Sequence, residues 1–143
     1  MTDTAGTVTL GMVGLGRMGA NLVRRAMRAG ATCVVCDQQE AAVQVLVADG
    51  AIGTTDLRQF VADLPRPRNV WVMVPAGHIT EFVVMELIEL LEPGDCLIDG
   101  GNSYYRDDIR RGAAAAAKGI DYLDVGTSGG VWGLDRGYCL MIG

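Results

Sequence analysis

Positive charge is what this sequence has least of. Lys and Arg number 12 against 17 Asp and Glu, a formal net charge of -5. That balance argues against a nucleic-acid partner or an anionic membrane surface, while leaving room for a local basic patch toward a small anion. Lysine is scarcer still, since Lys118 stands alone beside 11 arginines, and His78 is the only histidine. Few side chains are therefore available for proton transfer by an amine or an imidazole. No apolar run nears the ~18 residues of a membrane span, and the opening MTDTAGTVTL carries no basic targeting region. A cytoplasmic protein is the expectation. Cys33 and Cys36 have C-x-x-C spacing, but no second pair or histidine cluster accompanies them beyond Cys96 and Cys139. Both lie in one extended run, where positions three apart point to opposite faces. Packing, not metal or redox chemistry, is expected of them.

What is present is a regular alternation. The chain has 143 residues, 50% of them hydrophobic and 20% charged, which suits one domain over 1–143 with its own core. Extended apolar runs at TVTLGMVG, TCVVCD, NVWVMV, CLIDG and IDYLDVG are separated by helical spacing over about 19–29, 40–48, 56–64, 79–91 and 103–118. In the fourth helix Ile79, Phe82, Val83, Leu87, Leu90 and Leu91 recur at three and four, with Glu81, Glu86, Glu89 and Glu92 mainly opposite. Gly30, Gly50 and Gly119 stand where C-caps are expected. AIG after Gly50 is a weak extra strand, and GYCLMIG near the end adds an edge strand. Strands rich in Val, Ile and Leu, without polar alternation, imply burial on both faces. The expected fold is α/β, a doubly wound, Rossmann-type, mostly parallel sheet with helices on both faces.

The chemical signal is strongest in GMVGLGRMGANL. Gly14, Gly16 and Gly19 form G-x-G-x-x-G directly after the first strand and at the mouth of a helix, the context of a dinucleotide site. Gly14 allows the tight turn, Gly16 lets a pyrophosphate approach the main chain, and Gly19 lets helix and sheet pack closely. The loop as a whole, with Leu15, Arg17 and Met18, is the expected phosphate cradle at a helix N-terminus. Asp37, 18 residues beyond Gly19, ends the second strand where a carboxylate accepts from adenosine ribose hydroxyls. Gln38 and Gln39 follow where a 2′-phosphate would call for arginine, so NAD is the expected cofactor.

GLGRMGANL, DGGNSYYRDDIRR and DVGTSGGVWGLDRGYCLMIG together resemble the amino-terminal domain of 6-phosphogluconate dehydrogenase, in its shorter NAD-preferring branch, within the β-hydroxyacid dehydrogenase superfamily. The resemblance runs from Leu10 to Gly143. It implies that Asn102 lies between nicotinamide and the substrate hydroxyl, positioning both, and an amide there donates and accepts without titrating. It implies that Ser128, Gly129 and Gly130 hold the substrate carboxylate, and that Val74, Pro75 and Ala76 pass beside the nicotinamide ribose. Pro75 departs from the lysine common in the longer, NADP-using branch. The implied substrate is 6-phosphogluconate, oxidised at its 3-hydroxyl and decarboxylated to ribulose 5-phosphate in the pentose phosphate pathway, by an enzyme that works as a homo-oligomer. The family's catalytic lysine and glutamate, and its helical domain, belong to sequence that this chain does not contain, so the chain alone is expected to be inactive. Ser103 also reads as a helix N-cap, His78 as a solvated helix start, and Lys118 as complementing a helix dipole. A 3-hydroxyisobutyrate-type dehydrogenase, which resembles D-x-S-T where this chain has D-G-G-N, is one alternative. A stand-alone nucleotide-sensing domain is the other.

Overall fold

A computed structural model describes residues 6–143; residues 1–5, which open the stretch read above for targeting, lie outside it. The elements follow in order: β1 (Thr9–Val13), α1 (Arg17–Arg28), β2 (Thr32–Cys36), α2 (Glu40–Ala48), β3 (Ile52–Thr54), α3 (Leu57–Ala62), β4 (Asn69–Val72), α4 (His78–Leu90) and β5 (Cys96–Asp99). Then come α5 (Tyr105–Ala116), β6 (Asp121–Ser128), a 3-10 turn (Gly130–Trp132), α6 (Gly133–Arg136) and β7 (Cys139–Ile142). They build one sheet in the order β3-β2-β1-β4-β5-β6-β7. All pairings are parallel except β6 with β7, which runs antiparallel. The expected doubly wound sheet is present, including both the weak third strand and the edge strand. Strand order reverses between β1 and β4, and that switch point opens a crevice at the carboxyl ends of the strands.

Alternation along each strand feeds a core on both faces. From β2, Val34 and Cys36 join Phe60 of α3 and Val84 and Leu87 of α4 on one side. Cys33 and Val35 join Val23 of α1 and Val43 and Leu46 of α2 on the other. Each fully buried aliphatic side chain of this kind contributes about 1.5–3 kcal/mol relative to exposure. The two cysteines of C-x-x-C thus sit in different cores, and burial raises both thiols, Cys36 to about 12. Gly11 in β1 is dictated by packing too: a Cβ there would lie 2.7 Å from the Phe60 ring and 2.8 Å from Leu64. Among the described residues no helix is long and apolar enough to cross a membrane.

Several local readings change. Ser103 does not cap α5; the cap position is Tyr104, with no side-chain bond, because the Ser103 hydroxyl donates instead to Asp99 Oδ2 at 2.6 Å. Lys118 reaches away from its own helix, pairing with Glu89 Oε2 at 2.7 Å and donating to the Ile88 carbonyl at 3.3 Å. It therefore serves the end of α4, where carbonyls lack helical partners. Glu92 lies past the end of α4 and pairs with Arg68 at 2.8 Å. Ile79 and Phe82, assigned by periodicity to the apolar face of α4, are 49% and 66% exposed. Their surroundings explain why.

Candidate nucleotide and substrate site

Two cavities flank the glycine loop at the carboxyl ends of the strands. The first, about 650 Å³, is floored by Gly14, Leu15 and Gly16, and bordered by Asp37 and Gln38 after β2. Leu57 and Arg58 at the start of α3, with Ile79 and Phe82 of α4, complete its rim. The second, about 590 Å³, has Arg17, Met18 and Gly19 along one wall and Val74, Pro75 and Ala76 along another. Gly100, Gly101 and Asn102 face them, beside Gly126, Thr127 and Met141. Gly16, Met73, Val74 and Pro75 border both cavities, so one extended ligand can span the loop.

The loop geometry follows from its glycines. Gly14 has φ +96°, and a Cβ there would collide with the Met73 carbonyl. A Cβ at Gly19, in the first turn of α1, would collide with the Gly14 carbonyl. At Gly16 nothing lies within 4 Å of a Cβ position, so the main chain is open from the crevice side. Gly16 is also the N-cap of α1 and supplies no side-chain cap, and no acidic residue occupies the first turn. The leading N–H groups remain available to an anion. Asp37 secures this arrangement: Oδ2 accepts from Leu15 N and Oδ1 from Gln39 N, both at 2.8 Å. Each carboxylate oxygen keeps a further acceptor position for a hydroxyl.

The two glycines after β5 have different causes. A Cβ at Gly100 would collide with the Trp71 indole of β4, whereas one at Gly101 would stand 3.3 Å from the Val74 carbonyl. The first clears the sheet interior and the second lets the β5–α5 turn approach the loop after β4. Together they carry exposed Asn102 to the cavity wall opposite the glycine loop.

All the expected cofactor residues line one cavity or the other. Ser128, Gly129 and Gly130 do not line the second, because β6 continues through Ser128 and the chain then turns, with φ +155° and +50° at the glycines. From β6 it is Gly126 and Thr127 that face the cavity, with Met141 of β7 paired opposite Gly126. Arg58, Phe82, Thr127 and Met141 also line the two cavities, and motif reading misses them. For Arg58 a signal existed: a helix following β3 in this topology must begin at the ligand end of the sheet.

A parallel doubly wound sheet with a glycine loop at its switch point and a carboxylate closing the second strand defines a pyridine-nucleotide-binding domain. Residues 9–143 match the family described as the NAD binding domain of 6-phosphogluconate dehydrogenase, and the chain belongs to it. A Bacillus subtilis (strain 168) protein provisionally named as a 6-phosphogluconate dehydrogenase is 44% identical over 134 residues, covering 94% of this chain and 45% of its own. The NAD(+)-dependent, decarboxylating 6-phosphogluconate dehydrogenase of Haloferax volcanii is 38% identical over 134 residues, covering 94% and 44%. The chain therefore spans less than half the length of these relatives. Among solved structures, Plasmodium falciparum 6-phosphogluconate dehydrogenase, determined apo, with NADP+ and with 6-phosphogluconate, superposes with TM-score 0.87 at 26% identity, covering 94% of this chain and 30% of that one. Mycobacterium tuberculosis 3-hydroxyisobutyrate dehydrogenase, at 24% identity and TM-score 0.84 over 96% and 47%, shares the fold.

Proposed function

We propose that this domain binds NAD and serves an enzyme that oxidatively decarboxylates 6-phosphogluconate to ribulose 5-phosphate. The observation that carries the reading is Asn102, held by the Gly100–Gly101 turn across the second cavity from the glycine loop. In this reading the adenosine occupies the first cavity, with Asp37 on its ribose, and the pyrophosphate meets the α1 N-terminus. NAD, when bound, supplies the hydride acceptor. The chain's own part is positioning. Val74, Pro75 and Ala76 wall in the nicotinamide, and the Asn102 amide orients the substrate hydroxyl without changing charge. The Ser128 hydroxyl, at the exposed end of β6, and the N–H groups of Gly129 and Gly130 in the turn that follows receive the carboxylate. Asp37 and Gln38 favour NAD over NADP, because a carboxylate repels a 2′-phosphate, and a relative named NAD(+)-dependent agrees with that preference.

Backbone amide spectra of the 15N-labelled chain, saturated with NADH, test the substrate. Adding 6-phosphogluconate is expected to shift Asn102 and the 128–130 amides, while 3-hydroxyisobutyrate at the same concentration leaves them in place. Equal responses to both acids, or none to either, would return DGGNS to a plain turn.

A further inference from the structure

The loop after β4 and the turn after β5 form two walls of the second cavity, yet neither belongs to regular structure. Something must fix their separation. Asp99, at the end of β5, is fully buried. Its Oδ1 accepts from Gly101 N at 2.9 Å, its Oδ2 accepts from Ser103 Oγ at 2.6 Å, and Arg111 Nη1 lies 3.4 Å from the same Oδ2. Both residues flanking Asn102 are therefore tied to one carboxylate. Arg111 is only 1% exposed and is held in turn by Glu81, with Nε to Oε2 at 2.8 Å. Glu81 adjoins buried Thr80, whose hydroxyl donates to the Pro75 carbonyl at 2.8 Å. Contacts thus run unbroken from Pro75 through Thr80, Glu81, Arg111 and Asp99 to the turn that bears Asn102.

Other charges facing the guanidinium are arranged to leave this line intact. Asp108 Oδ1 stands 3.7 Å from Arg111 Nη1 and accepts from the Tyr122 hydroxyl at 2.7 Å. Burial pushes the Asp108 carboxyl upward, with Asp99 and Asp124 adding to the effect. Glu81 goes the other way, drawn down to about 2 by Arg110 and then Arg111. A buried guanidinium is costly without partners, and losing one of them leaves an uncompensated buried charge. Arg111 sits instead between Glu81 of α4 and Asp99 at the end of β5, linking the helix that follows one cavity wall to the strand that precedes the other.

We propose that Asp99 and Arg111 are positioning residues, a brace that sets the β4–α4 loop and the Asn102 turn at the separation the nicotinamide and substrate require. This rests on the reading of the second cavity as the nicotinamide site. The test uses the intact 143-residue chain and two probes. NADH emission, which rises when the reduced nicotinamide is held and shielded, reports the second cavity; calorimetry with ADP-ribose, which lacks the nicotinamide, reports the first. Ser103→Ala and Asp99→Asn are expected to cut the emission rise several-fold while ADP-ribose affinity stays at the wild-type value, and Ser103→Thr, keeping the hydroxyl, is expected to restore the rise. If Asp99→Asn fails to fold, the Ser103 pair decides alone. Variants that keep the wild-type rise would overturn the brace and leave the cavity reading standing. Equal losses with NADH and ADP-ribose would also overturn it, by showing that these bonds serve the fold at large. No emission rise in the wild type would overturn the cavity reading and the brace with it.

Discussion

Gly19→Ala is expected to destabilise the chain and abolish NAD binding together, whereas Gly16→Ala is expected to abolish binding alone. At Gly19 the added methyl meets the Gly14 carbonyl, which is backbone and cannot swing aside, and the Gly14 carbonyl carbon is only 3.1 Å away. Relief requires α1 to slide off the loop, carrying its free N–H groups with it. Overpacking of this kind costs about 1–3 kcal/mol. The upper end corresponds to roughly a hundredfold in a binding constant if the whole cost falls on the binding-competent loop. At Gly16 there is no steric obstacle and φ is -63°, so alanine fits the folded chain. Its methyl would occupy the space a phosphate must enter. Thermal melts and calorimetry on the two variants separate the effects. A Gly16→Ala chain that binds NAD normally would show that the phosphates lie elsewhere.

The second expected result is an absence of turnover: the 143-residue chain should bind NAD yet form no NADH from 6-phosphogluconate. Among the described residues, those around the second cavity include no Lys, His, Asp, Glu, Cys or Tyr. Lys118 is bound to Glu89 at the far end of α4, and His78 is exposed at the start of that helix. Asn102 orients but does not exchange a proton at neutral pH. General acid-base help is worth about 10²–10⁴ in rate, and losing orientation of the sugar phosphate removes more. The assay is absorbance of NADH, with protein purified from a host lacking its own enzyme. Steady turnover would mean that proton transfer is supplied by residues placed here in structural roles.

Those two results draw on features that differ in how openly the sequence declares them. Gly14, Gly16, Gly19 and Asp37 are legible because each is bound to a local pattern: a turn, a close approach, a helix start, a strand end. The sheet is legible for the same reason, since strands buried on both faces must be apolar throughout. Helical period reports an apolar stripe without saying whether protein covers it, so Ile79 and Phe82 fall on the apolar face by spacing yet stand exposed at the cavity rim. Ser103 resembles a cap because its nearest partner in sequence is the helix that follows, while its partner in space, Asp99, is held by Arg111 from twelve residues on. Nothing local announces the Glu81–Arg111–Asp99 line. In sequence these residues are three ordinary charges on two helices and a strand end. Only the sheet order, with β4 beside β5, brings them together.

The proposed preference for NAD rests on Asp37 and Gln38, but Arg58 stands on the rim of the same cavity, and a solved structure sharing the fold was obtained with NADP+. Calorimetric titration of the chain with NADH and NADPH, repeated with Asp37→Ser, measures the outcome directly. The expected result is that NADH binds at least about tenfold more tightly, equivalent to about 1.4 kcal/mol, and that Asp37→Ser narrows the gap by removing the repulsion. Equal or reversed affinities in the wild-type chain, or no binding of either nucleotide, would contradict it.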